Sequence, residues 1–179
     1  MLSIANTANA ISWSNQTAST VTVTYIASLG GAYSYGIGIN DAAQVTGYSY
    51  TDSDSYSHAF VTNLDGSMKD LGTLGGTFSY GYGINNTSQV TGWSNTAGDF
   101  STHAFVTNLD GTMKDLGTLG GTISYGYRIN NAGQVTGSSD TAGNSSHHAF
   151  ITTPDGTMKD LGTLGGTSVL GLESMTLGR

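Results

Sequence analysis

Leu74-Gly75-Gly76-Thr77-Phe78-Ser79-Tyr80-Gly81-Tyr82-Gly83-Ile84 runs into Asn85-Asn86-Thr87-Ser88 and then into Gln89-Val90-Thr91-Gly92-Trp93-Ser94. Residues 78–84 alternate, with Tyr80, Tyr82 and Ile84 on one side and Ser79, Gly81 and Gly83 on the other. A period of two with aromatic and β-branched residues predicts a half-buried strand. Its small face predicts that another sheet approaches closely. The four polar residues after it read as a turn, and 89–94 as a second strand carrying Val90 and Trp93. A polar loop follows over 95–101, then a third strand over 103–109. Asp110-Gly111 reads as a type I′ hairpin turn, and 112–119 as a fourth strand, ended by Gly120-Gly121.

Working outward, the same text recurs. Leu-Gly-Gly begins at Leu29, Leu74, Leu119 and Leu164; Gln-Val-Thr-Gly at Gln44, Gln89 and Gln134; His-Ala-Phe at His58, His103 and His148; Met-Lys-Asp-Leu-Gly at Met68, Met113 and Met158. Each step is 45 residues, which defines full repeats 28–72, 73–117 and 118–162. The first and second share 30 of 45 residues and the second and third 33 of 45, without a gap. Four short antiparallel strands repeated at this period predict an all-β, propeller-like fold, with a β-solenoid or an open β-repeat array as alternatives.

The whole chain, 1–179, reads as one repeat domain with an N-terminal partial repeat (1–27) and a C-terminal one (163–179). Residues 167–172 continue as a first strand, with Gly171 where Gly36, Gly81 and Gly126 fall, and residues 21–28 sit in fourth-strand register. A fourth unit split in this way would either close a ring or leave complementary open edges on two subunits, giving rings or filaments.

Composition narrows the function. Only 9% of the 179 residues are charged, against roughly 25% in an average soluble domain, and 27 are Gly. Coiled coils, charged disordered tails and collagen are excluded by this arithmetic. The net charge is −7 with five Lys and Arg and no basic run, so nucleic-acid binding lacks its electrostatic footprint. No polybasic cluster and no long apolar window speak for a membrane, so no membrane insertion is expected. Cysteine is absent, which removes disulfides and thiolate sites. Ala8-Asn9-Ala10 has the form of a signal-peptidase site, but no positive segment precedes it and 2–5 is a short apolar stretch; it reads as coincidence.

Taken together, Asp-Leu-Gly-Thr-Leu-Gly-Gly, Ile-Asn, Gln-Val-Thr-Gly and His-Ala-Phe resemble the bacterial extracellular HAF-repeat family, over residues 28–166. The resemblance implies an exported, surface or extracellular protein and no established catalytic activity.

Candidate sites follow from the repeated side chains. Tyr35, Tyr80 and Tyr125, with Tyr48 and Trp93, are the candidate binding residues: aromatic rings could serve as sugar-stacking platforms, against the alternative that they pack the core. His58, His103 and His148 are read as repeat-structural, bonding a neighbouring strand or turn, rather than as metal ligands. Asp70, Asp115 and Asp160 are likewise read as structural acceptors of turn N–H groups, with Lys69, Lys114 and Lys159 beside them solvated. Asp52-Ser53-Asp54, whose counterparts are Asp99 and Asn144, resembles a fragment of a calcium loop without its full spacing, so a solvated loop is preferred and no cofactor is expected. No nucleophile elbow, zinc-protease helix, phosphate loop or dinucleotide fingerprint is present, and no enzyme is expected. The leading expectation is a non-catalytic extracellular or surface protein that self-assembles through edge strands; the alternative is a carbohydrate-binding, lectin-like module that takes glycans.

Overall fold

The computed structural model describes residues 28–52 and 54–164. The three repeats become three antiparallel units. Unit 1 holds β1 (Gly30–Ile39), β2 (Val45–Thr51), β3 (Ser57–Thr62) and β4 (Met68–Asp70). Unit 2 holds β5 (Gly75–Ile84), β6 (Val90–Thr96), β7 (Thr102–Thr107) and β8 (Met113–Gly117). Unit 3 holds β9 (Gly120–Ile129), β10 (Val135–Thr141), β11 (His147–Thr152) and β12 (Met158–Asp160). Within a unit each strand pairs antiparallel with the next. Between units, single parallel pairings at Ser57–Phe78 and Thr102–Ile123 join everything into one twelve-stranded sheet.

That sheet is open. Among the described residues β1 pairs only with β2, and β12 only with β11. The expected propeller is therefore corrected to the alternative, an open β-repeat array. Periodicity specifies a unit and its strands, but closure depends on the angle between neighbours, which no single repeat encodes. The partial repeats, with the ring closure or complementary edges that they could provide, and the Ala8-Asn9-Ala10 stretch lie outside the described residues, apart from Thr163 and Leu164.

The core lies between units. Phe105 of unit 2 packs with Ala59, Val61 and Leu71 of unit 1 and with Val90. Phe150 of unit 3 packs with Ala104, Val106 and Leu116 of unit 2 and with Val135. A single unit cannot bury its apolar face alone, which is why the repeat must stack. The approach is made by the first strand of each unit: β5 lies against β1, β2 and β3, and β9 against β5, β6 and β7. Gly81 allows it, because a methyl group there would overlap the Thr46 hydroxyl; Gly126 stands in the same relation to Thr91.

One feature of this strand differs from the simple alternation. Gly81 pairs with Gly92 and Gly83 with Thr91, so Tyr82 is an extra, bulged residue. The bulge flips the face: Gly81 meets Thr46 of unit 1, whereas Gly83 meets Tyr127 and Arg128 of unit 3. One strand thus presents a glycine to each neighbour.

The hairpins differ too. The Gly66 N–H donates to the Asn63 carbonyl and the Asn63 N–H to the Ser67 carbonyl. Gly66, Gly111 and Gly156 have φ of 83°, 89° and 89°, while the Asp before each stays at negative φ. These are three-residue loops, a type I turn followed by a left-handed glycine, rather than type I′ turns. Pro154 in place of Leu64 and Leu109 fits the second position of such a turn.

Polar groups in the core are paired. Thr46 and Thr91, fully buried, donate to the Phe60 and Phe105 carbonyls at 2.7 Å. Buried Ser79 and Ser124 accept the Ala59 and Ala104 N–H groups at 2.8 Å and donate to the Gly72 and Gly117 carbonyls. Among the described residues Ser57 Oγ is the one buried side-chain polar atom without a partner.

Candidate functional site

The five candidate binding residues come together in one column of rings. Tyr35 stacks on Tyr48 with centroids 4.8 Å apart, Tyr48 meets Tyr80 at 4.1 Å, Tyr80 stacks on Trp93 at 4.5 Å and 11°, and Trp93 meets Tyr125 edge-on at 6.1 Å. Two of these contacts, Tyr48–Tyr80 and Trp93–Tyr125, cross from one unit to the next. Tyr82 joins the column, its hydroxyl accepting the Trp93 indole N–H at 2.9 Å. The rings are half-buried except Tyr35, which is 48% exposed at the open end of unit 1. Stacked rings occupy one another's faces, so the column works first as a spine between units. Burial, and then the surrounding phenols, push the Tyr48 and Tyr125 hydroxyls above their ordinary value and keep them neutral.

Each repeated His pairs with its own repeated Asp. Nδ1 of His58, His103 and His148 lies 2.9 Å from Asp70, Asp115 and Asp160. The pairs tie β3 to β4, β7 to β8 and β11 to β12. The same carboxylates accept the N–H of Gly72, Gly117 and Gly162 at 2.7 Å. Burial raises the Asp70 carboxyl, but the bonds from His58 and Gly72 outweigh it and hold it below the ordinary value. For Asp160 the Gly162 N–H is the largest influence, followed by His148, and the shift is again downward. A fourth pair, His147 with Asp140 at 2.7 Å, stands where unit 2 has a hydrogen bond from Asn95 Nδ2 to Thr102 Oγ1 at 3.1 Å.

The loop Asp and Asn side chains pin the first strand of each unit. Asp54, Asp99 and Asn144 adopt φ of 51°, 59° and 55° and accept the N–H of Ala32, Thr77 and Thr122 at 2.7–2.9 Å. Asp99, Thr77, His58 and Tyr56 line a cleft of about 310 Å³ between units 1 and 2. Ser53 lies outside the described residues. Among the described residues no three His, Asp or Glu side chains are grouped to hold a metal ion.

Two sets of contacts were not read from the sequence. Lys69 was expected to be solvated, yet its Nζ donates to the Asp110 carbonyl in the hairpin of unit 2 at 2.6 Å, and Lys114 does the same to Asp155 in unit 3. Asn40 Nδ2 donates to the Asn85 carbonyl and Asn85 Nδ2 to the Asn130 carbonyl, each at 3.0 Å. The Asp41 N–H donates to Asn86 Oδ1 and the Asn86 N–H to Asn131 Oδ1. The signal for this ladder is the Asn at 40, 85 and 130, which the sequence places at the start of a turn.

No protein-family model matches the chain, and no curated protein matches it.

Proposed function

We propose that this is a non-catalytic structural protein of the cell surface or extracellular space that acts by self-association through the open ends of its sheet. The observation that supports it is the contrast between its interior and its ends. Between units, apolar clusters and paired polar groups meet in full; at unit 1, Tyr33, Ile37 and Ile39 of β1 are exposed, and at unit 3, Leu161 is. Exposed apolar surface beside strand edges that have no partner among the described residues favours association. The extracellular placement rests on the resemblance to HAF repeats. Sedimentation equilibrium of the purified chain over a hundredfold concentration range tests the association: a rising average mass is expected, and one constant single-chain mass overturns it.

A second reading, a glycan-binding module, rests on the aromatic column, with Tyr35 offering the accessible ring. A glycan array probed with the wild type and Tyr35→Ala tests it. Binding lost in the variant supports the reading, and a blank wild-type array overturns it.

A further inference from the structure

The outer face of unit 3 is built like the faces that units 1 and 2 turn to their neighbours, yet no further unit among the described residues covers it. Thr46 and Thr91 are fully buried, but Thr136 is exposed; Leu71 and Leu116 are each 8% exposed, but Leu161 is 55% exposed. Arg128, Ile129, Val135, Thr136 and Ile151 line an open cleft of about 180 Å³ on this face. Its polar groups lack the partners that their equivalents have. The Ala149 N–H has no serine hydroxyl to match Ser79 and Ser124, and Asn130 Nδ2 and Lys159 Nζ have no carbonyl of a next unit among the described residues.

The missing halves are present at the other end of the sheet, on unit 1. On β1, Ser34 and Gly36 occupy the positions of Ser79 and Gly81, but among the described residues Ser34 has no partners like those of Ser79 and Gly36 faces no other unit. The Asn40 carbonyl, the Asp41 carboxylate and the Asp65 carbonyl correspond to the acceptors used by Asn40, Asp41 and Lys69 inside the array. We propose that unit 3 of one chain takes β1 of a second copy, in the same 45-residue register that joins units 1 to 2 and 2 to 3. Ser34 of the second copy accepts the Ala149 N–H and donates to the Gly162 carbonyl, while Gly36 lies over Thr136. The chain's own continuation offers less: the residue 45 positions after Ser124 is Val169, which has no hydroxyl.

Arg128 sets the strength of this contact. Units 1 and 2 carry Gly38 and Gly83 at its position, and a methyl group at Gly83 already comes within 3.2 Å of the facing backbone. With Arg there, the incoming strand must yield by a few tenths of an ångström, so the contact between copies is weaker than those within the chain. The geometry is head to tail and does not close on itself as a dimer, so it leads to filaments or larger rings.

This inference rests on the self-association reading and is tested apart from it. Sedimentation of the full chain is compared with Ser34→Val, Thr136→Arg and Arg128→Gly, with circular dichroism to verify the strand content of each. Expected is association at least about tenfold weaker in the first two and tighter in the third. Because the chain has no cysteine, a mixture of Gly36→Cys and Thr136→Cys chains is also oxidised; the mixed disulfide is expected to dominate over either homodimer. Wild-type association that none of the three substitutions alters, or a predominance of homodimers, overturns this interface and leaves the function reading standing. A single-chain mass for both wild type and Arg128→Gly overturns both.

Discussion

Asp70 shows how one carboxylate does two jobs. It receives His58 from the paired strand and the Gly72 N–H from the connection to the next unit. Its folded pKa lies below the value of an unfolded Asp, near 3.9. A depressed carboxyl adds stability that is present above the unfolded value and is lost as pH falls through the folded one. Unfolding followed by circular dichroism between pH 7 and pH 2 is expected to show stability falling below about pH 4, with a smaller drop in Asp70→Asn. Both side chains are partly solvated, so His58→Ala is expected to cost about 0.2–1 kcal/mol, the range of exposed ion pairs. Ser57 gives the opposite sign. Its buried hydroxyl has no partner, so Ser57→Ala is expected to leave the protein unchanged or stabilise it by about 1 kcal/mol in thermal melts.

At the scale of the element, β5 carries the interface. It brings Gly81 onto unit 1 and, past the bulge at Tyr82, Gly83 onto unit 3. Gly81→Val is expected to separate units 1 and 2 and broaden the thermal transition, because the facing atoms include backbone that cannot move aside. Phe105→Ala opens the cluster between units 1 and 2 and is expected to cost about 3–5 kcal/mol in denaturant titration. The strands themselves were legible: alternation and turn residues placed all four per unit. The bulge was not, because 78–84 alternate perfectly on paper and only the pairing with β6 reveals Tyr82 as surplus. The Asp-Gly dipeptides marked the hairpins, but the turn type depended on the loop having three residues. The His–Asp pairs join residues 12 apart on neighbouring strands, a relation that a strand-by-strand reading does not carry.

For the whole molecule, the sequence supplies the period and the structure supplies the openness. Closure was the part that could not be read, since a repeat of four strands is compatible with a disc, a coil or an open array. The column from Tyr35 to Tyr125 likewise emerges only when units are stacked, because its contacts between units, Tyr48–Tyr80 and Trp93–Tyr125, join rings that are far apart in the sequence. No helix among the described residues is long and apolar enough to cross a membrane. The outer strands β4, β8 and β12 are 3, 5 and 3 residues long and carry Lys69, Lys114 and Lys159, which makes them poor templates for lateral pairing. Growth is therefore expected along the stacking direction, and negative-stain images are expected to show particles one unit wide rather than laterally merged sheets.

The ladder of Asn40, Asn85 and Asn130 treats every unit as interchangeable. Removing residues 73–117 would bring Gly72 to Thr118 and set Asn40 beside Asn130, Lys69 beside Asp155, Gly126 over Thr46 and Ser124 under Ala59, the same chemistry at every junction. Gain or loss of a whole 45-residue block in the gene would therefore change the span of the array while preserving these four contacts. Length becomes a quantity that evolution, or a protein engineer, can adjust in whole steps.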